Sequence, residues 1–348
     1  MGRVSPMKCL ANFQHRGANM NFMRSILIGA ATLAAPILTV TAAYADVAVL
    51  RSVSCFPIGS PPSVPFEEMV AEINKRGEGV VRLDLLGGAP AIGSPFQVAE
   101  RLALGAYDIA GCPEAFFGNL IPEAPALRLN EYTFAELREN GALDYFQELM
   151  KAKGALFLGR HQDDGAFHVY LADPIDKPDL SGLNLRISPV YTAFFKAMGA
   201  TVQRASMPEV YTLMENKTVD GYGFSLRGIS PDWYKVTKYR VDPGFYHGAI
   251  HTIANLARWE TLSPEAQEIV SSVILEFEVR IEPSSDYAKD LDAKMRATQA
   301  ENGIQTITFE GADAEKWLSM AKDAAWSEFL AENPVTGPKL KDLFTKSN

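Results

Sequence analysis

The chain has no G-x-S-x-G elbow, no H-E-x-x-H pair and no Walker loop, so it announces none of the familiar hydrolase, zinc-protease or nucleotide sites. Gly221-Tyr222-Gly223 begins like a dinucleotide fingerprint, but Leu226 stands where the third small residue belongs, and the pair lies inside a strand pattern. Cysteine is scarce, at 3 residues, and no Cys or carboxylate pattern completes a zinc set around His247 and His251. Those two histidines are four apart on a strand pattern, and Glu67 with Glu68 is spaced as a helix surface. No metal or cofactor is therefore expected. Repeats and low-complexity segments are missing after residue 45.

Long apolar runs are also lacking, with one exception. Ile26 to Val40 follows Arg3, Lys8, Arg16 and Arg24 and precedes Ala43-Tyr44-Ala45, a small-x-small cleavage pattern. The run is short and interrupted by Gly29 and Pro36, so it reads as a secretory leader over residues 1–45 rather than a membrane span. Removing four of the 33 basic residues leaves 29 against 42 acidic ones, a net charge of −13. A surface of that sign has no broad attraction for nucleic acid or anionic lipid, so any grip on an acidic ligand must be local.

What is present is an alternation of strand and helix periods in a chain long enough for two domains. Val47 to Cys55 reads as a strand, Phe66 to Lys75 as a helix, Val80 to Leu85 as a strand. Phe96 to Leu104 follows as a helix and Tyr107 to Cys112 as a third strand. The first and third strands of such a unit are neighbours, so Cys55 and Cys112 either form a disulfide or stay as two buried thiols. The loop FPIGSPPSVP after the first strand sits where a cleft is expected. Glu131 to Lys151 reads as one helix, Leu156 to Gly159 as a strand, and RHQDDGAFHVYLADP as a loop in which the chain crosses between domains.

The stretch Asp179 to Ser225 is the organising unit. Asn184 to Ser188 reads as a strand, with Ser188 a side-chain N-cap and Pro189 in the first helical turn. Tyr191, Phe194, Phe195 and Met198 recur at helical spacing before Gly199. Thr201 to Arg204 is a strand, Ser206 and Glu209 have capping-box spacing, and Val219 to Phe224 is a third strand. Arg186 sits within an apolar strand at the end that enters a helix, where open α/β sheets bind ligands. Such an Arg either snorkels to water beside a structural Asp or grips a carboxylate with two parallel hydrogen bonds. Further on, Trp233 to Tyr239 reads as a short helix and Phe245 to Ala254 as a returning strand. Ser263 to Asn302 reads as one long helix kinked at Pro283, before a strand at Ile304 to Phe309 and a helix at Ala314 to Ala331.

DLSGLNLRISPVYTAFFKAMGA followed by MPEVYTLMENKTVDG resembles the solute-binding proteins of TRAP (tripartite ATP-independent periplasmic) transporters. That family carries D-L-x-G-L-x-x-R, then an S/P-Y-x-x-F-x-x-x-G-A helix, then E-V-Y-x-x-L-x-x-x-x-V-D-G. Weaker similarity continues through WYKVTKY, HGAIHTIAN and LSPEAQEIV. The resemblance implies an α/β, two-lobed periplasmic binding fold with two mostly parallel sheets flanked by helices and a long helix spanning both lobes. Lobe I is expected from 46–164 and 250–289, and lobe II from 165–249 and 290–348. It also implies a periplasmic monomer without membrane insertion that passes a small organic acid to membrane permease subunits, with Arg186 on the carboxylate.

Two positions depart from the family. Its second Arg is replaced by Phe167, or by His168 if the alignment slips by one, and its Asn after V-D-G-x-x by Phe224. Both changes favour a monocarboxylate with an apolar or aromatic body. Tyr211, in the E-V-Y motif, is expected at the ligand, with Asp163, Asp164 or Glu114 receiving hydroxyls. Some relatives hold keto acids through a cation, and Asp163 and Asp164 are the residues to weigh for one. Among the other aromatics, Tyr191, Trp233 and Tyr246 serve core or pocket. A receptor feeding a sensor, or a secreted enzyme, are the other classes that fit.

Overall fold

The computed structural model describes residues 46–346, so the expected leader at 1–45 lies outside the described residues. The first elements follow the period switches closely: β1 (Ala48–Ser54), α1 (Val64–Arg76), β2 (Val81–Gly88), α2 (Val98–Ala103) and β3 (Ile109–Cys112). β1 pairs in parallel with both β2 and β3. α1 forms because Phe66, Met69, Val70 and Ile73 make one buried stripe, and it stops at Gly77, where a Cβ would lie 2.4 Å from the Val81 carbonyl oxygen. The adjacency of β1 and β3 joins Cys55 to Cys112 in a disulfide, with Cα atoms 5.0 Å apart. Of the two readings left open by the sequence, the bridge is the one seen.

The expected helix over 131–151 is instead two, α3 (Phe134–Glu139) and α4 (Ala142–Lys151). They part at Gly141, whose φ of 80° leaves the helical region. α3 is closed at its start by a capping box between Thr133 and Glu136.

The largest departure is β4 (Ala155–Leu171), a single strand of 17 residues that begins over the expected strand Leu156 to Gly159 and runs on through the segment expected to be a loop. Its first part pairs antiparallel with β9 (His247–Asn255), and Phe167–Leu171 pairs with β7 (Gly221–Ser225). β4 thus belongs to both sheets. Three register shifts between Phe157 and Gly165 bend it, and Gly165 takes a φ of 74° there. Arg160, Gln162, Asp163 and Asp164 look solvated in the sequence but are buried on this strand.

The second sheet continues through β5 (Asn184–Ile187) and β6 (Thr201–Arg204), and the overall strand order is β2-β1-β3-β9-β4-β7-β5-β6. β5 is parallel to both β6 and β7. A 3-10 turn at Pro189–Tyr191 leads into α5 (Thr192–Ala197); Ser188 precedes it in extended conformation but makes no side-chain cap. The Ser206–Glu209 capping box does form, ahead of α6 (Val210–Glu215). Trp233 lies in a 3-10 turn, Pro231–Lys235, and Tyr239 opens β8 (Tyr239–Asp242) rather than ending a helix.

α7 (Leu256–Glu260) is followed by α8 (Pro264–Arg280) and α9 (Asp286–Glu301), so the long helix expected over 263–302 is broken rather than kinked. Pro283 lies in the break, and Ser285 caps the second helix by accepting from the Ala288 N–H. The helix that reaches both sheets' elements is α10 (Gly311–Glu332), which follows β10 (Gln305–Thr308). Trp317 packs on Phe194 with ring centroids 4.8 Å apart, while Asn333, just past the helix, donates to the Pro122 carbonyl at 3.2 Å. α11 (Gly337–Phe344), not anticipated, docks beside α4, where Asn140 donates to the Leu343 carbonyl at 2.9 Å. No helix among the described residues is long and apolar enough to cross a membrane.

Candidate ligand-binding site

β5 delivers Arg186 beside the chain reversal into α5, and the residue ends only 2% exposed. Its Nη1 donates to the Tyr191 hydroxyl at 3.2 Å, and that hydroxyl donates onward to the Gly223 carbonyl. Nε is buried with no partner, and no carboxylate among the described residues lies within ion-pair distance of the guanidinium. Burial pulls its pKa down from the ordinary value, while Tyr191, Glu209 and Tyr222 hold it up. Glu209 is already committed: its carboxylate accepts the Ser206 N–H at 2.7 Å. A guanidinium stays protonated under these conditions, and a buried unpaired cation is unfavourable. A guanidinium in this setting can accept an anionic partner through two parallel hydrogen bonds.

The space beside it suits such a partner. A cavity of about 50 Å³ is lined by Arg186, Tyr191, Phe224, Phe167, Asp164 and Glu114 among others. A second chamber of about 40 Å³ adjoins it and shares Arg186, Phe56, Phe116 and Met207. The Phe224 ring centroid lies 6.0 Å from the guanidinium carbon, and Phe167 meets Tyr191 edge-on at 5.6 Å. The walls are therefore mainly aromatic, with a single cation and two acids. At the rim the Arg204 guanidinium carbon stands 4.1 Å from the Phe96 ring centroid, linking β6 to the turn before α2.

Five of the seven expected site residues thus meet in one chamber: Arg186, Phe167, Phe224, Asp164 and Glu114. Two do not. Tyr211 does not line it: it is half-buried on α6, packed beside the cluster of Val210, Met214 and Trp233, with its hydroxyl donating to Glu215 one turn on at 2.8 Å. Asp163 is buried away from the chamber, because successive strand residues face opposite ways. It accepts from Arg160 at 3.2 Å, Arg227 at 3.3 Å and the Gly165 N–H at 2.9 Å, and it pairs with His247 at 3.3 Å. Those contacts tie it to β4, β9 and the segment after β7. His168, the alternative to Phe167, is bound to the Val241 carbonyl and Asp242, both at 2.9 Å, outside the chamber.

Trp233 packs under Phe224 as core, with centroids 4.9 Å apart, and the Tyr246 hydroxyl donates to the Ala321 carbonyl at 2.6 Å. Phe56 opens the FPIGSPPSVP loop, placed at the expected cleft, but Phe116 and Met207 were not anticipated. Phe116 lies in the turn after β3, so the strand-end rule applied to that strand as well would have found it.

Asp164 has the most perturbed carboxyl of the chamber. Burial pushes it up to about 7, with Asp163 and Glu114 acting in the same direction and the Gln162 amide and Arg227 against them. Its ordinary value is about 3.9. Between those values the folded chain holds a proton that the unfolded chain has released. The contribution of Asp164 to stability therefore falls as pH rises through that window.

Residues 59–333 match the bacterial extracellular solute-binding protein family 7. A solute-binding protein of Albidiferax ferrireducens is 21% identical over 325 residues, covering 89% of this chain and 95% of that protein. A TRAP periplasmic solute-binding protein from Desulfovibrio salexigens with bound orotic acid superposes with a TM-score of 0.73, at 20% identity, over 85% of this chain and 97% of that one. Another, from a Sulfitobacter species with bound β-D-galacturonate, gives 0.71 at 20% identity, over 85% and 99%. The match runs through both sheets and the whole organising unit around Arg186, and on that ground the chain belongs to family 7 of the bacterial extracellular solute-binding proteins.

Proposed function

We propose that this receptor captures a small organic monocarboxylate with an apolar or aromatic body between its lobes and hands it to TRAP permease subunits. The observation that carries the reading is the buried, unpaired Arg186 in a chamber walled by Phe167, Phe224, Phe56 and Phe116. A second carboxylate on the ligand would meet Asp164 and Glu114 with no further cation in the chamber lining. That argues for one acid group and a body met by rings. A hydroxyl or N–H on the body has Asp164 or Glu114 to donate to. Native mass spectrometry of the protein with its co-purified ligand tests this. A ring-bearing or branched monocarboxylic acid is expected, and a dicarboxylate or a polyhydroxylated sugar acid overturns it.

Residues 46–164 and 250–289 are assigned to lobe I and 165–249 with 290–336 to lobe II. The contact of α11 with α4 supports moving 337–344 to lobe I. Delivery to the periplasm is assigned to the leader in 1–45. Hinge closure of the two lobes would bring Arg186 to the ligand and exclude water from the ion pair.

Ligand affinity is expected to depend on pH through Asp164. With its proton, Asp164 is a neutral hydrogen-bond donor beside the bound carboxylate; without it, a second buried negative charge. Affinity for the acid falls as pH rises through about 7, and Asp164→Asn flattens the profile. Calorimetry from pH 6 to pH 8 (roughly one unit either side of the carboxyl) checks it, and a flat wild-type profile contradicts it.

A further inference from the structure

A second cavity, of about 340 Å³, lies between α10, the turn Ala124–Arg128 and the segment leading from β8 into β9. It shares no lining residue with the two chambers around Arg186. Its apolar side is made by Phe245, Tyr246, Leu318 and Trp326. Arg128, 9% exposed, has a buried Nε with no partner. The one carboxylate within ion-pair range of Arg128 among the described residues is Glu114, 3.8 Å from Nη1 and beyond hydrogen-bond reach. Trp326, 2% exposed, also has a buried Nε1 without an acceptor. Lys322, paired with Glu131, and His247, paired with Asp163, stand at the same cavity.

Buried N–H groups are nearly always met by an acceptor. Here the Arg128 guanidinium and the Trp326 ring line one space whose only lining carboxylate is the already paired Glu131, while the unmet Arg128 Nε and Trp326 Nε1 themselves face the protein interior. We propose that this cavity is a second site for a small organic anion, with its carboxylate on Arg128 and its apolar body on Phe245, Tyr246 and Trp326. Glu114 connects the two sites, because it lines the Arg186 chamber and leans on Arg128. An anion that occupies Arg128 leaves Glu114 less neutralised, and a less neutralised Glu114 repels a carboxylate at Arg186. The two sites oppose each other, by the same factor in each direction. Only this coupling rests on the proposed role of Arg186; occupancy of the second cavity does not.

Benzoate is a suitable probe. The protein has 4 tryptophans, so 5-fluorotryptophan labelling gives a simple fluorine spectrum in which Trp326 is assigned by its loss in Trp326→Phe. The Trp326 resonance is expected to shift saturably with benzoate, to keep that shift in Arg186→Ala, and to need roughly tenfold or more benzoate in Arg128→Met. No saturable shift, an equal shift in Arg128→Met, or loss of the shift in Arg186→Ala overturns the site. If Arg128→Met does not fold, Lys322→Met decides, since that side chain is 52% exposed and its loss spares the packing. A few-fold weaker titration there supports the site, and an unchanged one overturns it. A failed role for Arg186 leaves this readout intact, because Trp326 lies outside that chamber.

Discussion

Replacing Arg186 with Ala is expected to weaken capture of the cognate acid by about 2–5 kcal/mol, roughly 30-fold to several thousand-fold. The size follows from burial. At an open surface an ion pair adds little, but here the guanidinium is 2% exposed and water cannot replace the lost partner. The same burial predicts an opposite effect on the empty protein. Without ligand the cation has the Tyr191 hydroxyl as its one hydrogen-bond partner among the described residues, so Arg186→Met should leave the unliganded fold as stable or more so. Calorimetric titration and thermal unfolding of the apo protein, run on both variants, separate the two effects. Unchanged affinity in Arg186→Ala, with the cognate acid, removes the assigned role.

Asp163→Ala is expected to destabilise the fold by about 3–5 kcal/mol, because it takes a buried partner from Arg160, Arg227 and His247 at once rather than removing one contact. Arg160 and Arg227 each lose a partner, although Arg160 keeps Glu282 at 2.6 Å and Arg227 keeps Asp292 at 2.7 Å. Burial acts to raise the Asp163 carboxyl, yet His247, Arg160 and Arg227 together hold it below the ordinary range. A depressed carboxyl contributes stability above its unfolded value of about 3.9 and loses it as pH falls through the folded one. Asp163→Asn, which keeps an acceptor for the Gly165 N–H, should lose less. Denaturant titration measures both, and an Asp163→Ala midpoint equal to wild type refutes the structural role. Asp164→Ala, one residue on, should cost far less, since it strands no cation.

That contrast explains what could and could not be read from residues alone. The β-α-β units, the Ser206–Glu209 box and the place of Arg186 follow from local spacing and strand-end geometry, and each was legible. β4 beyond Gly159 was not, because a run of Arg, His, Gln and Asp looks like a solvated turn unless its partners are known. Those partners are 64 to 122 positions away in sequence, as with Arg227 and Glu282. For the same reason Asp163 and Asp164 were taken together, while alternation along the strand gives them different neighbours. Tyr211 rests on its motif alone, and on α6 its hydroxyl meets Glu215 rather than the chamber. Local periodicity continued across Gly141 and Pro283 because apolar spacing persists on both sides of each break.

The Cys55–Cys112 bridge has a consequence for how tightly the receptor can bind. It fastens the ends of β1 and β3 together, at the points where Phe56 and the Glu114–Phe116 turn leave the sheet. One wall of the ligand space is thus covalently braced before any guest arrives, and the loss of chain entropy that would otherwise accompany capture has already been incurred during folding.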